Sequence, residues 1–534
     1  MTSNTVLNPA VLWERLRTDW LILVGEAEPY GHEQWLEWVG DRRHQLKAQK
    51  QATHPKPTQP LALIAESDPQ QFLAALWAAL LANWDIALAN PNWGHQEWQS
   101  VSRLIAPTLI WGRSVPPDFG AAGFSSEASF SLETAAKCSP QISAAQISAA
   151  QISAPQILIP TGGTSGHIKF AHHTWPTLLA AVNGFRQHFA PAAPVHSYCV
   201  LPLYHVSGLM QVLRTVISGG QIAIAPFKTL EATTSANALP FSSSPQPSAS
   251  APSSQPSLTV LSLVPTQLHR LLQAGHSQWL SQFHAVLLGG APPWPSLLEA
   301  SQRHHIPLSL SYGMTETAAM ITAQKPREFL SGDRSSGTPL PHITLQILKD
   351  NTTPLPPNQT GQIAIHGPSI AAQPASLAQP SASQPLPHRL LTTDLGYLTP
   401  SGHLHVTGRA SQTIISGGEN ISPTEVEAAI RSTGQVQDVC VVGMPDGQWG
   451  EVVTAIYVPC HKAVNACSLQ QALRASPAYQ PAPLLSRYKH PKRWLALETL
   501  PRNAQGKLNR QALIDLLQVQ VQKQHQEPID PLSS

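Results

Sequence analysis

Between Leu61 and Gly112 the chain alternates short apolar runs with a helix-length apolar segment: LALIAES from Leu61, FLAALWAALLA from Phe72, DIALANP from Asp85 and PTLIWG from Pro107. Runs that are apolar without alternation suit strands buried on both faces, and such strands need helices to cover them. The pattern therefore predicts α/β layers built on parallel strands. The Phe72–Ala82 segment reads as a buried helix, because a bilayer span takes about 20 residues.

At 534 residues, 42% of them hydrophobic, the chain can build sizeable cores. Lys plus Arg total 33 and Asp plus Glu 31, a formal net charge of +2. A nucleic-acid-binding protein ordinarily carries a basic excess or stripe, so this balance argues against that class. The five cysteines, Cys138, Cys199, Cys440, Cys460 and Cys467, contain no Cys-x-x-Cys pair. That argues against a disulfide scaffold or a zinc knuckle and for a reducing compartment. The N-terminal MTSNTVLNPAVLWERLRTDW has charges inside its apolar stretch instead of a secretory core. A soluble, cytoplasmic protein with no stable membrane insertion is expected. A homo-oligomer is left open.

Low-complexity stretches interrupt the α/β pattern. One lies near 138–156 and repeats QISAA, QISAA, QISAP from Gln141; the others, over 231–258 and 368–388, are rich in Ser, Pro, Ala and Gln. Such segments bury too little apolar surface to offset their ordering entropy, so exposed, mobile insertions are expected. After Arg409 the pattern becomes regular again. TEVEAAIRST, just after Pro423, reads as a helix, and VQDVCVVGMP and VVTAIYVP read as strands of a smaller C-terminal domain.

Chemistry-bearing residues cluster in a few places. ILIPTGGTSGHIKFAHHT, from Ile157, carries small residues followed by a cation. Neither G-x-x-x-x-G-K-[ST] nor G-x-G-x-x-G fits it, because Gly166 is followed by His167 and Lys169 by Phe170. No Ser stands midway between two glycines, so an esterase elbow is absent too. Backbone N–H groups freed by Gly162, Gly163 and Gly166, with hydroxyls of Thr161, Thr164 and Ser165, suit an anion; taken alone, the stretch fits a plain Gly/Ser turn better. SYGMTETAAM, from Ser311, sets Tyr312, Thr315 and Glu316 within five residues: a ring for a purine, a hydroxyl for phosphate, a carboxylate for magnesium. TTDLGYLTPSGHLHVTGR, from Thr392, places Asp394 and Arg409 across a turn at Pro400–Gly402, where both can grip ribose hydroxyls.

PTGGTSGHIK, SYGMTETA, TTDLG, GRASQTIISGGENISPTEVE and LPRNAQGKLNR occur in this order over roughly residues 60–515. Together they resemble the motifs of the adenylate-forming superfamily of acyl- and aryl-CoA synthetases, luciferases and peptide-synthetase adenylation domains. The resemblance implies an α/β fold with a large multi-sheet N-terminal domain over 1–408 and a small mobile α+β C-terminal domain over 409–518, leaving a polar tail over 519–534 that frays. It also implies a reaction using ATP, Mg2+ and coenzyme A. A carboxylate attacks the α-phosphate of ATP, pyrophosphate leaves, and a thiol then displaces AMP.

The resemblance assigns roles residue by residue. Thr161, Gly162, Gly163, Thr164, Ser165, Gly166 and Lys169 would cradle the β- and γ-phosphates. Gly289, Gly290 and Ala291 would face Tyr312 and Gly313 across adenine. Thr315 would meet the α-phosphate, Glu316 would hold magnesium, and Asp394 and Arg409 would bind ribose. Lys507 would be the adenylation lysine, its compact ammonium suited to charge developing at the α-phosphate. Ser411 would serve as hinge, and the Gly417–Gly418–Glu419 turn would help form the CoA side of the site. Departures are His167–Ile168 ahead of Lys169, Thr393 ahead of Asp394, and Ser411 and Gln412 where acids or Lys are common.

LPLYHVSGLM, VLLGGAPPWPSLLEA and IISGGENISPTEVE are similar to the 2-succinylbenzoate–CoA ligase branch, which serves menaquinone and phylloquinone biosynthesis. In that setting His205 would be a catalytic residue over the acyl pocket, near the thioester-forming carboxylate, and the substrate's second carboxylate needs donors, for which Arg214 and His205 are candidates by proximity. The alternatives are another aryl- or fatty-acyl-CoA ligase, a carrier-loading adenylation enzyme, or a non-catalytic nucleotide sensor. Retention of Lys507, Glu316, Asp394 and Arg409 argues against the last.

Overall fold

The computed structural model describes residues 9–18, 20–24, 32–52, 59–112, 155–162, 168–189, 193–232, 240–241, 257–372, 389–416, 419–446, 449–474, 485, 487–502 and 508–526. The four runs that open the sequence analysis fold as predicted. Leu61–Ile64, Asp85–Leu88 and Leu109–Trp111 are strands, and Pro69–Leu81 is the helix. Asp68 starts that helix: its Oδ1 accepts from the Gln71 N–H at 2.8 Å, and Pro69 fills the first turn, where no N–H is needed. The helix is apolar nearly all round because it is buried nearly all round, with Phe72, Leu73, Leu76 and Trp77 at 1% exposure or less.

These strands form a five-stranded sheet in the order Leu109–Trp111, Leu61–Ile64, Asp85–Leu88, Gln156–Gly162, Ile168–Thr174. It is parallel as far as Gln156–Gly162, whose pairing with Ile168–Thr174 is antiparallel. An eight-stranded sheet runs from Leu21–Leu23 through Ile222–Ile224, Val195–Cys199, Leu258–Leu263, Ala285–Leu288, Leu308–Met314 and Ala319–Ala323 to Thr338–Pro339. Its parallel pairing turns antiparallel at Leu308–Met314, where the chain doubles back. A five-stranded antiparallel sheet ends on Arg389–Leu398 and Leu404–Arg409. The hairpin expected at Pro400–Gly402 joins these two strands, with Gly402 at φ +82° and the Thr399 N–H donating to His403 O at 2.9 Å.

The smaller C-terminal unit has its own sheet and two cores. Residues of Val436–Asp446 alternate between its faces, as the period of a strand requires. Val439 and Val441 pack with Val426, Ile430 and Leu469 on one side. Cys440 and Val442 pack with Leu513 and Leu517 on the other. Helix Pro423–Ser432 has Pro423 in its first turn and also touches the larger unit: Ser422 Oγ donates to Thr407 O at 3.0 Å, and the Arg431 guanidinium lies 5.5 Å from the Trp294 ring.

Some expectations are corrected. The 368–388 stretch begins with an ordered, buried segment: Ser369 is at 0%, Ile370 at 6% and Ala371 at 5% exposure. Most of the 231–258 stretch lies outside the described residues, as does 138–154; its ends join helix Phe227–Ala232 and strand Leu258–Leu263. Helix Arg510–Gln526 continues past Gln518, where a frayed tail is expected. Among the described residues, no helix is long and apolar enough to cross a membrane.

Candidate active site

Antiparallel pairing of Arg389–Leu398 with Leu404–Arg409 sets Asp394 directly opposite Arg409. Their side chains meet: Arg409 Nε donates to Asp394 Oδ1 at 2.9 Å. From the neighbouring sheet, the Tyr312 hydroxyl donates to Asp394 Oδ2 at 2.7 Å. Asp394 is 6% exposed, so its charge needs these partners, while the Arg409 side chain stays 45% exposed. Burial, and then the Asp394 charge, push the Tyr312 phenol well above its ordinary range, so it remains a donor at any physiological pH. A carboxylate offers about four lone-pair positions. Asp394 therefore keeps acceptor capacity for a diol beside the two donors that orient it. A hairpin pair and a tyrosine 82 positions away, each a candidate for nucleoside binding, thus form one hub.

Tyr312 leads into the second part of the site. Gly313 follows it at a bulge, and a Cβ there would lie 1.9 Å from the Ala319 carbonyl oxygen, so no larger residue fits. The chain then makes a single 3-10 turn over Thr315–Thr317. Ala318 and Ala319 return it to the sheet at φ +55° and +75°. Two consecutive non-glycine residues in the left-handed region cost about 1–3 kcal/mol each, and persist only where the surroundings over-determine them. The restraints are present. Thr317 Oγ1 bonds within the turn to Met314 and Ala319, and the Ala371 N–H donates to Glu316 O at 2.8 Å. His173 Nε2 lies 2.7 Å from Thr315 O.

His173 comes from strand Ile168–Thr174, the second arm of the Gly/Thr/Ser hairpin. In that hairpin Thr161 pairs with Lys169 and Gly162 with Ile168. Both strands of that hairpin contact the Thr315 turn. Lys169 is exposed on its strand. His173 is fully buried, and burial pushes its pKa down to about 4. It is therefore neutral, and since a carbonyl only accepts, Nε2 carries the proton. Sequence reasoning passed over His173 because its roles are assigned to the loop. The signal was the HHT triplet: on a strand of period two, one of two adjacent histidines must face inward.

Glu316 is half-buried, and no ion pair occupies its carboxylate among the described residues. Magnesium favours oxygen donors and is held by one or two carboxylates together with substrate phosphates. An unpaired carboxylate beside a hydroxyl-bearing turn fits that ion. Gly289, Gly290 and Ala291 follow strand Ala285–Leu288, which pairs in parallel with Tyr312's strand. Gly290 has φ +79°, and Ser311 Oγ ties the two strands through Leu288 O at 3.1 Å. The adenine candidates therefore lie at adjacent strand ends.

His205 caps helix Val206–Ser218 with its ring 4.6 Å from that of Tyr204. Arg214, on that helix, is 4% exposed, stacked 4.1 Å from the Phe185 ring, and burial lowers its pKa to about 10. Its Nε has no hydrogen-bond partner among the described residues. Glu419 is exposed and pairs with Ser416 across a hairpin. Ser411 lies in the 3-10 turn Ala410–Gln412 that follows Arg409. Gly163, Thr164, Ser165, Gly166, Gly417, Gly418 and Lys507 lie outside the described residues.

Residues 54–373 match the AMP-binding enzyme family, and residues 425–507 match the AMP-binding enzyme C-terminal domain. The chain is 32% identical over 360 residues to a 2-succinylbenzoate–CoA ligase of Oceanobacillus iheyensis, an alignment covering 66% of this chain and 68% of that one. It is 32% identical over 386 residues to the 2-succinylbenzoate–CoA ligase of Geobacillus kaustophilus, covering 71% and 72%. The fold is similar to the o-succinylbenzoate CoA synthetase of Bacillus subtilis in complex with its acyl-adenylate intermediate: TM-score 0.71, 24% identity, 94% of this chain and 97% of that one. With its ordered motifs, its large multi-sheet unit and its smaller C-terminal unit, the chain belongs to the AMP-binding enzyme family.

Proposed function

We propose that this chain is an ATP-dependent acid–CoA ligase acting on 2-succinylbenzoate, in quinone biosynthesis and in the cytoplasm. The observation that carries the reading is the Tyr312–Asp394–Arg409 hub beside the Thr315–Glu316 turn, in a chain whose relatives are named for that reaction. The substrate carboxylate attacks the α-phosphorus, the bond to the bridging oxygen breaks, and pyrophosphate leaves. A CoA thiolate then attacks the acyl carbon and AMP leaves. Two anions must approach each other in the first step, so positive charge has to be supplied where negative charge accumulates. Magnesium, when bound, neutralises phosphate charge.

In this reading Asp394 and Arg409 hold the ribose, and Tyr312 with Gly289–Ala291 encloses adenine. Thr315 donates to the α-phosphate and Glu316 fixes the metal. The hairpin tip and Lys169 hold the outgoing pyrophosphate, and Lys507 stabilises the α-phosphate. The division at 408/409, the hinge at Ser411 and the CoA-side turn at Gly417–Glu419 belong to the same reading. Arg214 is the candidate for the second carboxylate, because a desolvated guanidinium without a carboxylate partner favours an anionic ligand. Its stacking partner Phe185 packs with Met320, on the strand that leaves the Thr315 turn.

The test is a panel of acids with ATP and magnesium, with and without CoA, following AMP and thioester. Turnover with 2-succinylbenzoate and none with benzoate or octanoate is expected; preference for a monocarboxylate would overturn the substrate assignment. Arg214→Met is expected to raise KM for 2-succinylbenzoate about 10- to 100-fold, the value of a hydrogen bond to a charged group, and to leave KM for ATP unchanged. A parallel rise in both would remove Arg214 from the acyl site.

A further inference from the structure

We propose that His173 is a positioning residue: its Nε2–H, through Thr315 O, holds the Thr315–Glu316 turn in the conformation that presents a hydroxyl and a carboxylate to the magnesium–nucleotide. The inference rests on the reading of that turn as the α-phosphate and metal site. The geometry is specific. His173 Nε2 reaches Thr315 O at 2.7 Å across 142 positions of sequence, and Nδ1 lies 3.1 Å from Thr177 Oγ1, which fixes the ring plane. The next residue back, His172, is tied through its carbonyl to the Ala372 N–H at 2.9 Å, and Ala371 N–H holds Glu316 O. The strand that carries the phosphate hairpin therefore grips the turn twice, once directly by His173 and once through the 371–372 segment. Thr315 O also accepts from the Ala318 N–H at 3.2 Å inside the turn, so His173 is the restraint that ties this carbonyl to the neighbouring sheet; without it the positive-φ Ala318–Ala319 backbone is freer to relax, and Thr315 and Glu316 move with it. A displacement of about 1 Å in a positioned group can cost about 100-fold in rate.

His173→Leu fills the space and removes the donor; His173→Gln keeps an N–H near Nε2. Each variant is compared with wild type by melting temperature, by calorimetric binding of magnesium with α,β-methylene-ATP, and by ATP–pyrophosphate exchange across a magnesium series. His173→Leu is expected to weaken analogue binding about tenfold, to raise the magnesium needed for half-maximal exchange, and to lower exchange kcat about 30- to 100-fold. His173→Gln is expected to lie within about threefold of wild type in all three, which marks the hydrogen bond rather than ring packing as the cause. Wild-type binding with an unaffected His173→Leu overturns the inference, and so does a Gln variant as impaired as Leu at an unchanged melting temperature. A wild-type chain that binds no magnesium–nucleotide overturns the site reading itself.

Discussion

Lys507→Ala is expected to lower ATP–pyrophosphate exchange about 100- to 1,000-fold, while thioester formation from a supplied acyl-adenylate stays within about threefold of wild type. The magnitude is that of removing one preorganised group from developing charge. The separation of half-reactions follows from the chemistry: the first step builds charge on the α-phosphate, and the second breaks an acyl–phosphate bond already made. The described residues on either side of Asn503–Lys507 are firmly held. Arg502 forms an ion pair with Asp438 and a bridge with Leu508, and the Asn509 N–H donates to Pro501 O at 2.9 Å. Arg510 donates to Glu427 at 2.7 Å and to Val441 O at 2.6 Å. Substituting Lys507 should therefore leave melting temperature unchanged. Equal loss in both half-reactions would remove Lys507 from the adenylation step.

Asp394→Ala carries the second large effect. The carboxylate is the common acceptor of Tyr312 and Arg409, so its loss strips the buried phenol of its partner and frees the guanidinium. Hydrogen bonds to a charged group contribute about 1.5–3 kcal/mol each, so losing two to a ribose raises KM for ATP roughly 100- to 10,000-fold. Stability should also fall by about 1–3 kcal/mol, the cost of leaving a buried hydroxyl unsatisfied. Tyr312→Phe separates the two effects. It removes one of the donors that orient Asp394 but leaves Arg409 in place, so KM for ATP should rise only about tenfold. If Tyr312→Phe matched Asp394→Ala in KM, the hub would owe its function to the phenol rather than to the carboxylate.

The fold was largely legible. Continuous apolar runs at Leu61, Asp85 and Leu109 specify buried parallel strands, and Asp68–Pro69 announces the helix between them. Helix His32–Ala52 was not anticipated. Its composition is polar, and its buried anchors Trp35, Val39 and Leu46 are too sparse to stand out without attention to helical spacing. In the hub, the Asp394–Arg409 pair was legible across its turn, but only the approach of a second sheet brings Tyr312 to it. The 369–372 segment escaped because Ala371 and Ala372 act through backbone N–H groups, which no residue type reveals, and His173 because the HHT triplet does not show which carbonyl its ring meets. Ser369–Ala372 sits at the head of a Ser/Pro/Ala stretch whose composition masks its burial.

The central claim, that this chain activates an acid by adenylation, is tested most directly by ATP–pyrophosphate exchange without CoA. With wild-type protein, magnesium, ATP and labelled pyrophosphate, label should enter ATP when 2-succinylbenzoate is present and not when it is omitted. Exchange independent of any acid, or release of ADP in place of AMP once CoA is added, would contradict it.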